Sequence, residues 1–137
     1  MLVAGAALAH KGATGIVAER MSVMKRMAEN MKAIGEMLDG RREFDANAAR
    51  ATAEALHANC HKAREQFPSG TRDHHSRASP AIWENPDRFE AEMQHFDTAV
   101  KALVAASGPG DIDNMRAPFR NVGQACSSCH EGFRLPK

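Results

Sequence analysis

Two cysteines and one histidine near the C-terminus have the residue types and spacing to hold a prosthetic group. Cys126 and Cys129 are separated by two serines, and His130 follows directly. In this spacing each thiol can add to one vinyl group of a porphyrin while the adjacent imidazole reaches the iron. A zinc site would need further Cys or His ligands at a second knuckle, and a thioredoxin-like site would need a βαβ context. The pattern therefore predicts one covalently bound haem c.

The composition indicates that helices position this site. The 137 residues are rich in Ala and include 8 Met, one Trp and no Tyr, which favours helices over a β-sandwich. The formal net charge is +1, and acidic and basic residues are interspersed. This pattern gives no nucleic-acid surface and no polybasic membrane anchor. The length suits one domain with a core and a cofactor, and we assign residues 10–137 to it.

The first nine residues differ from the rest of the chain. Residues 1–9 are apolar and small and end in Ala7, Leu8 and Ala9, as the last part of a secretory signal peptide does. We interpret them as a signal-peptide remnant or an N-terminal tail. The stretch is too short to span a bilayer, so we expect no membrane insertion. Since c-type haem attachment takes place outside the bacterial cytoplasm in the familiar case, we expect a periplasmic protein.

Four amphipathic segments predict an all-α, antiparallel four-helix bundle with a covalently bound c-type haem. The first runs from Thr14 to about Leu38, the second from near Asp45 to about Phe67, the third from Asn85 and Pro86 to Ser107, and the fourth from Asp111 or Asp113 to Phe133. Thr14, Asp45 and Asn85 are predicted N-caps, and Gly40 is predicted to end the first helix. The polar stretch 72–80 is predicted as a surface loop.

Stripes of apolar residues, here called seams, predict which faces of these helices are buried. On the first helix the seam alternates steps of four and three and is expected to face partner helices; it consists of Val17, Met21, Met24, Ala28, Met31, Gly35 and Leu38. The last helix has a similar seam, which includes both cysteines of the haem motif; it consists of Met115, Phe119, Val122, Cys126, Cys129 and Phe133. Pro118 lies within this pattern, inside the first turns or at a bend.

The sequence resembles the class II cytochromes c, that is, cytochrome c prime and its low-spin relatives. In that family the haem motif lies near the end of the last of four helices. The resemblance covers roughly residues 15–134 and is carried by Arg20 with Met24 and Lys25, Gly40, Phe44 with Asp45, Phe67 with Pro68, Gly70 with Thr71, Ile82 with Trp83, Gly110 with Asp111, Val122 with Gly123, and residues 130–134.

The resemblance implies an iron ligand set. Cys126 and Cys129 would carry the thioether bonds, and His130 would be the proximal ligand. In cytochrome c prime the position of Met24 is commonly a non-coordinating apolar residue, which leaves the iron five-coordinate, high-spin and able to bind small gases. In the low-spin branch that position is a Met that binds the iron, so the resemblance implies Met24 as the distal ligand. The alternatives are a vacant position or ligation by Met21, Met27 or His10.

Two arginines are further candidates for the haem environment. In the resembled family an Arg at the position of Arg20 approaches a haem propionate, and one at the position of Arg134 lies beside the proximal His. A guanidinium suits the first role because it can meet a carboxylate through two hydrogen bonds. The alternative for both residues is a solvated surface charge.

These ligands predict an electron carrier rather than an enzyme. A His/Met pair fills both axial positions and changes little when one electron moves, so it offers no open iron position for a substrate. The alternatives are a five-coordinate protein that binds small gases such as NO or CO, and a bundle whose haem is structural or which docks to a larger redox enzyme. The expected partners are redox proteins of unknown identity. The two alternative assemblies are a homodimer formed through the first two helices and a monomer.

A second group of candidate ligands lies on the second helix. His57 and His61 are four residues apart and share a helix face, and Cys60 precedes His61, as in a haem motif whose first Cys is replaced by His. A second haem or a metal site is one interpretation. The other is that Cys60 is a partly buried free thiol or forms an intermolecular disulfide. His74 and His75 are interpreted as loop residues.

Overall fold

The computed structural model describes residues 13–137, which fold into five helices. They are α1 (Gly15–Leu38), α2 (Ala46–Arg64), α3 (Ala81–Glu84), α4 (Pro86–Ser107) and α5 (Asp113–Phe133). The four long helices form the predicted bundle, in which α4 packs against both α5 and α2, and α1 packs against α2. Residues 13–137 contain no helix that is both long and apolar enough to cross a bilayer. The tail predicted at residues 1–9, and His10, lie outside the described residues.

Two predicted helix ends are confirmed in detail. The side chain of Asp45 accepts a hydrogen bond of 3.0 Å from the backbone N–H of Ala48, which satisfies one of the free donors at the start of α2. Gly40 follows α1 with φ of 80°, a left-handed conformation that a residue without a Cβ adopts at little cost. Local chemistry therefore accounts for where α1 ends and where α2 begins.

Other predicted ends differ from the structure. Thr14 and Asn85 precede α1 and α4, but neither side chain makes a capping hydrogen bond. The backbone N–H of Asn85 instead donates to Ala81 O at 2.9 Å, because the short helix α3, which the sequence analysis did not predict, ends there. The helix α2 ends at Arg64 rather than near Phe67, since the last turn tightens into bonds between residues three apart.

The seam predicted on α1 is not the stripe that enters the core. The buried residues of α1 are Val17, Arg20, Val23, Met27, Ile34 and Met37. Only Val17 belongs to both sets, and the rest of the predicted seam is half-buried or exposed. The helix carries two adjacent apolar stripes, so its periodicity alone could not show which one meets α2. Pro118 lies inside α5 near its start, as predicted.

Candidate functional site

The predicted haem ligands lie on the wall of one large cavity. Its volume is about 1220 Å³, above the roughly 300–1,000 Å³ of ordinary small-molecule pockets. The wall is largely apolar, and its chief residues are Met21, Met24, Met27, Ala28 and Met31 of α1, Leu56 and Ala63 of α2, Phe89, Met93 and Phe96 of α4, and Ala125, Cys126, Cys129, His130 and Phe133 of α5. The predicted seam of α1, which does not enter the core, therefore faces this cavity. Four of its residues line the cavity wall: Met21, Met24, Ala28 and Met31.

The two cysteines of α5 face the cavity as neutral thiols. Positions 126, 129 and 130 share one face of a helix because they are three and four residues apart, and all three side chains line the cavity. Both cysteines are half-buried and form no disulfide. Burial raises the pKa of Cys126, and burial together with Glu92 raises the pKa of Cys129 to about 11. An uncharged thioether at each position would suit these apolar surroundings better than a thiolate.

The imidazole of His130 is held in its neutral form. Partial burial lowers the pKa of His130, and the positive charges of Arg134 and Arg77 lower it further. The neutral imidazole has a free nitrogen lone pair, which is what a metal ligand requires. The surroundings of this side chain therefore favour metal ligation over surface charge.

Methionines of α1 form part of the wall of the same cavity. Met24 lies there together with Met21, Met27 and Met31. Met27 is 7% exposed and belongs to the bundle core, whereas Met24 is half-buried and packs against that core from its edge. The structure thus brings Met24 to the cavity that holds His130, and it brings two of the alternative ligands, Met21 and Met27, to it as well.

Arg20 is a buried side chain that lines the cavity. It is 3% exposed, and its guanidinium donates to Gln66 O at 2.9 Å and to Thr71 Oγ1 at 2.7 Å. Both terminal nitrogens also donate to Thr71 O at 3.3 Å. The guanidinium carbon lies 4.7 Å from the centre of the Phe67 ring. Arg20 therefore ties α1 to the segment that follows α2, and one of its five N–H groups is left over for a further acceptor.

The last residues of the chain are joined to the 72–80 segment. Arg134 is exposed, lines the cavity and forms an isolated antiparallel bridge with Ala78. Ser79 N donates to Phe133 O at 2.9 Å, and Leu135 N donates to Arg77 O at 2.7 Å. Residues 72–80 form a loop, as predicted, but the second half of this loop is half-buried or buried against the end of the chain instead of lying across the surface. Residues 75–78 form part of the cavity wall.

Arg77 is a site residue that the sequence analysis missed. It lines the cavity, and its charge lowers the pKa of His130. Its Nε donates to Leu135 O at 2.9 Å, which holds it against the end of the chain. The polar sequence around it contains no periodicity, so only the long-range pairing with residues after α5 reveals its position.

The residues present fit a covalent haem. Two thiols and an imidazole form one donor group on α5, and thioether side chains face the cavity from α1. Gly123 lies on α5 one turn before Cys126, and a Cβ built on it would meet no atom within 4 Å. A glycine inside a helix costs roughly 1 kcal/mol relative to alanine, and no packing within the described residues accounts for that cost. The open space beside it suits a flat ring held by the neighbouring thiols.

The burial of Cys60 excludes two of the interpretations of this residue. Cys60 is 0% exposed within the core, and burial is the main cause that raises its pKa to about 12. A thiol in this position can reach neither a second haem on the surface nor another molecule, so the second haem and the intermolecular disulfide are wrong. His57 and His61 lie on the surface of α2, next to Asp97 of α4.

Residues 15–134 match the family model described as Cytochrome C′. The chain belongs to the cytochrome c′ family. A cytochrome c-556 from Agrobacterium fabrum, strain C58, is 35% identical over 125 residues, which cover 91% of this chain and 84% of the relative. Cytochrome c′ from Alcaligenes xylosoxydans xylosoxydans is 31% identical over 118 residues, which cover 86% of this chain and 91% of the relative.

The fold agrees with solved members of the cytochrome c′ family. The nitric oxide complex of a variant of cytochrome c prime from Alcaligenes xylosoxidans matches with a TM-score of 0.84 and 30% sequence identity, covering 89% of this chain and 94% of that chain. The cofactor of this family is a covalent c-type haem, and the cavity and donor groups described above fit it. The protein is thus a haem protein of the cytochrome c′ family.

Proposed function

We propose that this cytochrome c′ family member is a periplasmic single-electron carrier and not an enzyme. Cys126 and Cys129 hold the haem by thioether bonds, His130 is the proximal iron ligand and Met24 is the distal ligand. The observation that carries this proposal is that Met24 on α1 lines the same cavity as the complete haem motif on α5. When bound, the haem supplies an iron that alternates between the ferrous and ferric states.

The chain's own residues suit electron transfer in two ways. The thioether of Met24 would bind the iron together with His130 and would keep water and small ligands from it. Met24 also packs against the bundle core, and its partner His130 lies on a helix that extends to Phe133. Ligands fixed on two packed helices need little rearrangement when the charge of the site changes by one.

Charged side chains at the same site would contact the haem and affect the stability of its ferric state. We assign the remaining N–H group of Arg20 to a haem propionate, because its other four are used by Gln66 and Thr71. Burial lowers the pKa of the His130 imidazole, and the positive charges of Arg134 and Arg77 lower it further. Their positive charges would also disfavour the ferric state, since that state adds positive charge to the site.

Gas binding is the alternative function. It is favoured by the likeness to cytochrome c prime from Alcaligenes xylosoxidans, which was solved as a nitric oxide complex at 30% identity to this chain. For this function Met24 would have to leave the iron position vacant. The two functions therefore differ in what one side chain does.

Replacement of Met24 by Leu separates the two functions. Leu has nearly the volume of Met, and such exchanges usually cost less than about 1.5 kcal/mol, but it cannot bind iron. We expect the wild-type haem protein to give a low-spin spectrum and to bind carbon monoxide slowly, and Met24→Leu to become high-spin and bind it rapidly. Met21→Leu, Met27→Leu and Met31→Leu are matched controls from the same wall and should leave the spectrum unchanged.

Three outcomes would contradict the proposal. A high-spin wild-type spectrum in both oxidation states, with rapid carbonyl formation, would support the gas-binding function. A low-spin spectrum that changes in Met21→Leu or Met27→Leu, but not in Met24→Leu, would move the distal ligand to that residue. Colourless protein from cells able to attach haem would remove the covalent haem itself.

The assembly and the partners of the protein are proposed from its first two helices. Exposed side chains of α1 and α2 form ion pairs between residues four apart, such as Lys25 with Glu29 and Arg50 with Glu54. We propose a homodimer through these two helices and transient contact with redox proteins. Sedimentation velocity at two concentrations would detect a dimer, and a single monomer boundary at both would contradict it.

A further inference from the structure

Asp97 is a buried carboxylate with one unsatisfied oxygen. Its side chain is 3% exposed, and Oδ2 accepts a bond of 2.8 Å from Lys101, which lies one turn further along α4. Oδ1 is also buried, and His57 Nε2 approaches it at 3.3 Å without the geometry of a good hydrogen bond. A buried carboxylate oxygen without a partner is costly, and such atoms in native proteins often face an ion or water. This atom therefore points to a missing partner.

Two imidazoles of α2 face the free oxygen. His57 Nε2 lies 3.3 Å and His61 Nε2 lies 3.7 Å from Asp97 Oδ1. The two Nε2 atoms are 3.1 Å apart. None of the three residues lines the haem cavity, so the group is separate from the site described above. It joins two helices of the bundle, α2 and α4, from the outside.

These separations match those of a tetrahedral metal site. Zinc bound to nitrogen or oxygen at about 2.0–2.1 Å keeps its ligand atoms about 3.3–3.4 Å apart, close to the observed 3.1, 3.3 and 3.7 Å. An ion about 2.05 Å from all three atoms would lie about 0.6 Å outside their plane, as tetrahedral zinc does with a fourth position open. Octahedral Mg²⁺ needs ligand atoms about 2.9 Å apart and prefers oxygen.

We propose that His57, His61 and Asp97 form a binding site for a divalent transition metal, with Zn²⁺ as the fitting ion. The two imidazoles and Oδ1 of Asp97 supply three ligands, and water completes the tetrahedron on the exposed side, where the His61 side chain is 57% exposed. Lys101 holds the other carboxylate oxygen and so orients Asp97 as a monodentate ligand. Cu²⁺ generally binds such ligands more tightly than Zn²⁺, but its tetragonal preference fits this triangle less well.

Calorimetric titration of the haem-loaded protein, first freed of divalent metal ions with a chelator, with zinc chloride tests the site. We expect one zinc ion per chain in the wild type. His61→Gln and Asp97→Asn should each lower the zinc affinity at least about 10-fold. Even the loss of a residue that only hydrogen-bonds to a metal ligand lowers metal affinity about 10–100-fold. His61 is exposed, so His61→Gln should fold normally, and far-ultraviolet circular dichroism and the haem spectrum check this.

Three control variants locate the binding. His95→Gln removes an exposed imidazole of α4 outside the group. His74→Gln weakens the other cluster of potential ligands among residues 13–137, formed by Asp73, His74 and His75. Cys60→Ser removes the nearby thiol. All three should bind zinc as the wild type does. Loss of binding in His74→Gln or Cys60→Ser, with binding retained in His61→Gln, would overturn the proposed ligand set.

Thermal unfolding gives a second measurement that does not depend on calorimetry. An ion that bridges α2 and α4 in the folded state alone raises the midpoint temperature as its concentration increases. We expect this rise with zinc in the wild type and in His95→Gln, and none in His61→Gln. A wild-type protein that neither binds zinc below about 0.1 mM nor gains thermal stability from it would disprove the site. Failure of the proposed haem ligands would leave these results unchanged.

Discussion

Arg20 offers the sharpest test of how the cavity wall is held. The residue lies on α1, is 3% exposed and donates to the carbonyl oxygens of Gln66 and Thr71 and to the Thr71 hydroxyl. Burial lowers the pKa of Arg20, and the charge of Asp73 opposes this shift. Arg20→Met keeps an unbranched apolar side chain and removes the guanidinium. We expect the variant to lose stability because it leaves acceptors without donors.

The contacts set the size of the loss. The bond to Gln66 O is buried, and a buried acceptor left unsatisfied costs about 1–3 kcal/mol. Thr71 is half-exposed, so water can replace most of what its two acceptors lose. The contact with the Phe67 ring adds about 0.5–1 kcal/mol. Relief of the guanidinium's desolvation returns part of this cost. The net destabilisation expected for Arg20→Met is therefore about 1–3 kcal/mol.

Urea unfolding of the haem-loaded protein, followed by far-ultraviolet circular dichroism, measures this loss. Arg26→Met is the matched control, because Arg26 lies on the same helix but is 38% exposed and pairs with Glu19 at the surface. Exposed pairs contribute about 0–1 kcal/mol, so this variant should lose less than about 1 kcal/mol. Equal losses in the two variants, or an unchanged midpoint in Arg20→Met, would refute the role given to the buried hydrogen bonds.

Two further predictions concern buried positions elsewhere in the bundle. Cys60 should resist iodoacetamide at pH 8 in the folded haem protein and react in urea, because burial raises its pKa to about 12 and the thiolate is the reactive form; mass spectrometry that finds it alkylated without urea would contradict this. Gly35→Ala should stabilise the protein by roughly 0.5 kcal/mol in urea unfolding, since about 1 kcal/mol of helix propensity is partly offset by a 3.2 Å approach of the new Cβ to Phe119 Cζ. A net loss above about 0.5 kcal/mol would show that the half-buried Phe119 ring cannot shift.

The helical fold could be predicted because the residues that mark helix ends and apolar helix faces act locally in the sequence. Asp45 and Gly40 mark helix ends by their own chemistry, and the structure shows both features. The seam of α5 was also close to correct, since Met115, Val122 and Phe133 are buried and both cysteines lie beside them at the cavity. A helix with a single apolar stripe can be oriented from its sequence.

The sequence predictions were wrong where one helix carries two apolar faces, or where residues in contact are far apart in the sequence. On α1 the residues facing the cavity look as apolar as those facing α2, so the burial of Val23 in place of Met24 could not be predicted. Asp97 gave no sign of burial, although Lys101 lies one turn after it and pairs with it. Arg77 reaches the cavity only because its segment pairs with the chain after α5.

The two candidate functions use almost the same structure. The haem motif, the wall of α4 and the space beside Gly123 serve a bound haem whether or not the distal iron position is filled. The side chain at position 24 would decide between electron transfer and gas binding, and it lies on the stripe of α1 that takes little part in the core. A residue there can change with small effect on folding. The fold therefore constrains the cofactor strongly, whereas the proposed electron transfer would depend on the thioether of Met24.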